Sequence, residues 1–279
     1  MPILSGRARI AGVTGWPVAH SRSPRLHGFW LERHGIDGAY VPLPIRPESF
    51  DAAIRGLAAS GFAGLNVTIP HKVAAFAICD TLDESAERAG AVNTLVFQDG
   101  RIAGSNTDGW GFVANLRAHG VDPGAGPALV LGAGGAARAI AASLQDCGAP
   151  VTVANRSAER TDELTRSLPG LTVLPWEQRS AALADHALVV NTTSLGMTGE
   201  PTLDLDLDGA PAGLAVADIV YVPLETPLLA AARERGLAAV EGLGMLLFQA
   251  VPGFRAWFGV EPVVDDDLRR FVEADLRTA

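Results

Sequence analysis

Short apolar runs alternate with stretches of helical periodicity along nearly the whole chain. The clearest stretch runs from Ala128 to Arg160. An apolar run that suits a strand buried on both faces leads into a glycine-rich turn, an alanine-rich helix and a second short strand, VTVAN. Upstream, ARIAGVT at residues 8–14 and AYVPLPI read as strands. A helix follows the first, with Ser23 as N-cap, Pro24 at its first position and Gly35 as its stop. Another helix runs from about Pro47 to Ser60. In GLNVTIPHK, Leu65, Val67 and Ile69 share one strand face while Asn66 and Thr68 share the other. Pro70 then opens a helix that carries Lys72 in its first turn. After a helix near 83–89, the strand AVNTLVF turns at Asp99-Gly100, a hairpin signal, and returns into GSNTDG. That hairpin brings Asn93 and Asp108 to the same end of a sheet, expected to be mostly parallel.

Beyond Asp108 the alternation resumes. A helix over GWGFVANLRAHG enters a second domain, and the Ala128–Arg160 stretch follows. Then come a strand at 171–174, a helix near 177–184 and the strand HALVVNTT. The strand LAVADIVYVP, a helix from Pro227 to Arg235 and a short strand LAAV complete a doubly wound sheet. Two final helices, GLGMLLFQAVPGFRAWFG and DDDLRRFVEADLRTA, have apolar faces suited to packing back on the first domain. The expected fold is α/β with two α/β domains. One is discontinuous, with residues 1–108 plus 243–279; the other, Rossmann-like, spans 109–242.

Composition narrows the function. At 48% apolar residues the 279-residue chain is that of a soluble globular protein, long enough for two cores. A net charge of −9 gives no support to nucleic-acid binding or to an anionic membrane surface. The greasiest segment, from Leu243 to Val260, is interrupted by Gln249, Pro252 and Arg255, so no membrane span is expected. Cys79 and Cys147 lack metal-ligand spacing and read as small core residues, which suits a reducing cytoplasm. The N-terminal segment is too short and too quickly charged for a secretory signal. His20, His27 and His34 read as ordinary polar residues, and no metal site is expected.

Three features carry chemistry. In GAGGAAR, Gly132, Gly134 and Ala137 occupy the small positions of a dinucleotide fingerprint. Gly132 permits the tight turn, Gly134 lets backbone approach a pyrophosphate, and the helix N-terminus meets its charge. At the end of the second strand an NAD site would carry a carboxylate for the ribose 2′-hydroxyl. This chain has Asn155, Arg156 and Ser157, with Arg160 one turn later, which suits the 2′-phosphate of NADP(H). Of 22 basic residues, only Lys72 is a lysine. Arginine supplies fixed positive charge but does not give up a proton, so Lys72 is a candidate titratable amine; a plain surface residue is the alternative. Ser21 and Ser23 lie beside a helix N-terminus able to receive a carboxylate.

Taken in order, SRSP at 21–24, NVTIPHK at 66–72, AGAVNT at 89–94, GSNTDG at 104–109, GAGGAAR at 132–138, NRS at 155–157, NTTSLGM at 191–197 and GLGMLLFQA at 242–250 resemble the shikimate dehydrogenase family over nearly the whole chain. The resemblance implies NADPH-dependent, reversible reduction of 3-dehydroshikimate to shikimate, a step towards aromatic amino acids. It implies Lys72 and Asp108 as the catalytic pair. Ser21 and Ser23 match the substrate-carboxylate hydroxyls. Thr68, Asn93, Asp108 and Gln249 match contacts to the ring hydroxyls, with Asn66 nearby and Tyr221 reaching the substrate from the other domain. Gly132, Ala133, Gly134, Gly135, Ala136, Asn155, Arg156, Ser157 and Arg160 match the NADP segments, and Ile219 and Gly242 the nicotinamide half. His71 stands at a variable position of that pattern.

Other readings stay open on sequence alone. One is a quinate/shikimate dehydrogenase of broader specificity, which Arg156 disfavours if it uses NAD. Another is a non-catalytic NADP-binding sensor, against which both Lys72 and Asp108 speak. A methyltransferase would leave the arginines after VTVAN unexplained. The expected partners are the small-molecule substrate and cofactor, in a monomer or homodimer.

Overall fold

The computed structural model describes residues 3–276, which fall into two compact units. One extends up to Thr107 and resumes at Gln249; the other is Asp108–Phe248. The division thus falls one residue before the first expected boundary and within a helix six residues beyond the second.

The first unit is built from β1 (Arg9–Gly15), α1 (Ser23–Arg33), β2 (Gly38–Pro44), α2 (Phe50–Ala59), β3 (Gly64–Val67), α3 (Lys72–Ile78), β4 (Thr81–Leu82), α4 (Glu84–Ala89), β5 (Thr94–Gln98) and β6 (Arg101–Ser105). Its sheet has the order β2-β1-β3-β5-β6-β4. The pairings β1–β2, β1–β3 and β4–β6 are parallel, while β5 runs antiparallel to β3 and β6. The hairpin stands where expected: Asp99 and Gly100 have φ of 51° and 74°, the left-handed pair that matches the twist of the strands. Leu65, Val67, Leu95 and Ile102 pack beneath Phe50, Ile54 and Ala75. A fully buried side chain of this kind contributes about 1.5–3 kcal/mol.

The second unit contains α5 (Asp108–Ala118), β7 (Ala128–Leu131), α6 (Gly135–Asp146), β8 (Val151–Asn155), α7 (Ala158–Ser167), β9 (Thr172–Pro175), β10 (Leu188–Asn191), β11 (Ala215–Asp218), α8 (Pro227–Glu234) and β12 (Ala238–Val240). Its six strands are all parallel in the order β12-β11-β10-β7-β8-β9, a doubly wound sheet whose order reverses beside β7. Alternation along β7 explains its unbroken apolar run. Ala128 and Val130 join one core with Ile140 and Leu144 of α6; Leu129 and Leu131 join another with Leu183, Leu195 and Leu228. Both faces of the strand are covered, so every position is apolar.

The helix α9 (Gly242–Phe258) passes from the second unit into the first, and α10 (Asp266–Leu276) closes the latter. Arg22–Asp275 and Arg33–Asp265 ion pairs, each 2.6 Å, join α10 and the segment before it to the α1 region. Near the C-terminal end of α9 the Trp257 indole donates to the Leu95 carbonyl (2.9 Å).

Several local expectations change. Ser23 is the first residue of α1 rather than its cap; Arg22 precedes it, and the Ser23 N–H donates to Ser21 Oγ (3.3 Å). The segment 177–184 forms two 3-10 turns, Trp176–Gln178 and Ala181–Asp185, instead of an α-helix. The strand expected over LAVADIVYVP stops at Asp218, where side-chain bonding replaces the ladder. His27, expected as an ordinary polar residue, is fully buried. Cys79 and Cys147 are unpaired and only partly buried. Among the described residues no helix is long and apolar enough to cross a membrane.

Gly64 is the tightest point of the first core, because a Cβ there would overlap both the Trp257 indole nitrogen and the Leu95 carbonyl. Gly64→Ala is expected to cost about 3 kcal/mol or more by forcing that pair apart. Differential scanning calorimetry should show the transition lowered by roughly 6–12 °C; an unchanged transition would exclude this close packing.

Candidate active site

In the first unit the candidate residues gather at one edge of the sheet. β1, β3 and β6 end there and the antiparallel β5 begins there, so the segments carrying Ser21, Ser23, Asn66, Thr68, Lys72 and Asn93 share that edge. Side-chain hydrogen bonds link them. Tyr40, on β2, donates to Asn66 Oδ1 (2.6 Å). Asn66 Nδ2 donates to the Asn93 carbonyl (3.3 Å) and to Thr94 Oγ1 (3.2 Å). Asn93 Nδ2 donates to Thr107 Oγ1 (3.1 Å), and Asn93 Oδ1 accepts the Thr107 N–H (2.9 Å). Thr107 Oγ1 donates to the Gln249 carbonyl on α9 (2.8 Å). Lys72 opens α3 beside this belt, its carbonyl accepting from Val92 N–H (2.9 Å). Asn66, Asn93, Thr94, Thr107 and Gln249 are all buried. Asn66 is thus committed inside the sheet, where it braces Asn93 and Thr94.

Behind the belt lies an aromatic wall. The His27 ring stacks on Tyr40 at 3.9 Å between centroids, and Trp30, Phe254 and Trp257 surround it. Burial without water holds the His27 pKa down to about 3, although Asn66 opposes the shift. Burial raises the Tyr40 hydroxyl well above its ordinary value, with Ser23 opposing. Tyr40 therefore stays neutral and connects the Ser23 segment with Asn66. His71 is buried as well, its Nε2 2.8 Å from the Ile45 carbonyl and its ring stacked on Phe50. It anchors the loop before Lys72.

Asp108, the residue after Thr107, opens α5 in the second unit and is 7% exposed. The other candidates of this unit sit at the carboxyl ends of its parallel strands. Gly132 follows β7 with φ of 117°, and a Cβ there would press on Thr192 Oγ1 at 2.6 Å. Gly134 caps α6; a Cβ on Gly134 or Gly135 would meet nothing within 4 Å, so Ala133–Ala136 form an open turn of backbone. Ala137 is completely buried against the sheet. After β8, Asn155 Nδ2 donates to the Ser157 carbonyl (2.9 Å), Ser157 Oγ caps α7, and Arg156 and Arg160 are exposed. Gly242 lies against the carbonyls of Ile219 and Val220, which a Cβ would overlap, so these two nicotinamide-side candidates are brought together. Open glycine backbone at a helix N-terminus, followed by two exposed guanidinium groups, fits a dinucleotide bearing an extra phosphate. Among the described residues no group of three or more His, Cys, Asp or Glu could hold a metal ion.

Sequence reading passed over Tyr40, Thr94 and Thr107 in the first unit and Asp218 and Thr226 in the second, and took His27 for an ordinary polar residue. Burial pushes Asp218 up to about 6 against three donated hydrogen bonds. The available signal was positional: polar residues closing adjacent apolar runs stand where strand ends meet.

Comparison with known proteins places the chain. Residues 13–95 match the shikimate dehydrogenase substrate binding domain, and residues 124–198 match shikimate / quinate 5-dehydrogenase. A shikimate dehydrogenase (NADP(+)) of Acidiphilium cryptum is 74% identical over 98% of this chain and 99% of its own. The chain belongs to the shikimate dehydrogenase family. Another family member, from Rhodospirillum rubrum, is 58% identical over 97% of this chain and 99% of its own. The Thermus thermophilus shikimate 5-dehydrogenase, solved with NADP(H) and shikimate, superposes with a TM-score of 0.86 at 38% identity, over 97% of this chain and 100% of its own.

The buried histidine makes the first unit sensitive to acid. The folded state keeps His27 neutral down to about pH 3, whereas the unfolded chain protonates it below about 6.5. Stability is therefore fully present above pH 6.5 and falls as pH drops from 6.5 towards 3, by up to ~5 kcal/mol. Denaturant midpoints measured from pH 7 to 4 should fall less steeply for His27→Phe than for the wild type. Equal slopes would remove His27 as the cause.

Proposed function

We propose that this chain catalyses the NADPH-dependent, reversible reduction of 3-dehydroshikimate to shikimate. The observation that carries the proposal is the belt of buried neutral amides and hydroxyls around Asn93, on the sheet edge that also bears the chain's only lysine. A polyhydroxylated carboxylate needs many neutral donors and acceptors, each held by a partner of its own. Family membership supports the same reading, as does the NADP named for the relatives.

Reduction of a ketone needs a hydride for the carbon and a proton for the developing alkoxide. NADPH, when bound, supplies the hydride. Lys72 in its protonated form stabilises the oxyanion and delivers the proton; the neutral amine takes it back in the reverse direction. Asp108 orients the amine and accepts from a substrate hydroxyl. Ser21 and Ser23 hold the carboxylate at the start of α1. Thr68, Asn93 and Gln249 meet the ring hydroxyls, Asn66 holds Asn93 in place, and Tyr221 completes the substrate set. Gly132–Ala136 cradle the pyrophosphate, Asn155, Arg156, Ser157 and Arg160 take the adenosine end with its 2′-phosphate, and Ile219 and Gly242 flank the nicotinamide. Residues 1–108 with 243–279 serve as the substrate domain and 109–242 as the NADP domain. Two unpaired cysteines support a reducing, cytoplasmic setting.

Absorbance of the reduced nicotinamide, followed with shikimate or quinate against NADP⁺ or NAD⁺, tests the activity. Turnover is expected with shikimate and NADP⁺; preference for quinate, or equal use of NAD⁺, would overturn the specificity. Lys72→Ala should lower turnover by at least ~10³-fold while NADP⁺ binding persists. An unaffected rate would remove Lys72 from the chemistry.

Arg156 gives the second test. Arg156→Ala should raise KM for NADP⁺ about tenfold or more and leave the rate with NAD⁺ unchanged, because only the 2′-phosphate is lost as a partner. A parallel loss for both cofactors would place the phosphate elsewhere.

A further inference from the structure

β10 and β11 end side by side, with Asn191 and Asp218 paired in register and both buried. Asp218 Oδ1 accepts from Asn191 Nδ2 and from the Val220 N–H, each at 3.0 Å, and Oδ2 accepts from the Thr226 hydroxyl at 2.8 Å. Asn191 Nδ2 also donates to the Leu195 carbonyl (3.0 Å). Asn191 Oδ1 accepts from the Thr193 N–H (3.0 Å) and hydroxyl (2.7 Å). The Asn191 carbonyl takes the Ile219 N–H (3.1 Å), and Thr226 Oγ1 accepts from Leu229 at the start of α8. One carboxylate thereby fastens the beginning and end of the loop 219–226 to the loop that follows β10. That loop carries Ile219 and Tyr221, and Gly242 backs its first residues.

A carboxylate here is a costly way to close a loop, since its charge loses water on burial. What it offers over a neutral residue is acceptor-only chemistry: two oxygens that receive three donors from different segments with no competing N–H or O–H. We infer that Asp218 is a positioning residue for the nicotinamide end of the cofactor site, setting the path of Ile219–Tyr221 through Asn191, Val220 and Thr226. The inference rests on the reading that Ile219 and Gly242 flank the nicotinamide while Arg156 takes the 2′-phosphate. It goes beyond that reading by giving a role to a residue that holds neither cofactor nor substrate.

The experiment compares the wild type with Asp218→Asn and Thr226→Val. Titration calorimetry measures the Kd of NADP⁺ and of 2′,5′-ADP, which keeps the adenosine and 2′-phosphate but lacks the nicotinamide. Both variants are expected to weaken NADP⁺ about tenfold and leave 2′,5′-ADP within about twofold. Thr226→Ser, which restores the hydroxyl, should recover most of the NADP⁺ affinity. Equal weakening of both probes, or NADP⁺ binding unchanged, would overturn the role. Failure of both Asp218→Asn and Thr226→Val to fold would assign the carboxylate to stability and overturn it too. Failure of the underlying reading is separate: wild-type protein would then bind NADP⁺ no more tightly than 2′,5′-ADP.

Discussion

Strands that end together leave their loops to satisfy one another, and in both units buried side-chain amides and hydroxyls meet that requirement. An unpaired buried polar group costs more than a hydrogen bond returns, which favours sheet edges whose buried amides and hydroxyls partner one another. Asn66, Asn93 and Thr107 form one such set, and Asn191, Asp218 and Thr226 another. Side chains locked in this way hold the groups beside them within narrow limits.

The two edges use this constraint differently. The first presents fixed neutral donors and acceptors backed by a stack of His27, Tyr40 and Trp257, so little there can rearrange. The second leaves its backbone open at Gly134 and Gly135 and places exposed arginines beyond β8. Discrimination among similar hydroxylated acids calls for the former, because an unmatched polar atom in a buried site is expensive. Holding a flexible phosphorylated cofactor calls for the latter, where backbone approach and bidentate charge pairing dominate.

Much of this was legible in the chain itself. The apolar run Ala128–Leu131 followed by GAGGAAR marked a strand, turn and helix, because a doubly covered strand has no polar face and the turn tolerates only small residues. Asp99-Gly100 marked the hairpin, since few residue pairs accept its left-handed dihedrals. Lys72 stood out against 21 arginines. The cap at Ser23, the 3-10 turns after β9 and the early end of β11 were not legible. Each turns on competition between local bonding and a distant partner, which a linear pattern does not encode.

Local rules were therefore enough for the order of elements, the two doubly alternating regions and the residue types with chemistry to offer, because side-chain period and turn stereochemistry act over a few residues. Only the folded chain decided that Tyr40 would reach Asn66 across 26 positions, that Thr107 would meet Gln249 across 142, and that His27 would lose all contact with water. Those outcomes depend on strand order and helix packing. They concern groups whose energies change most when neighbours far along the chain replace solvent.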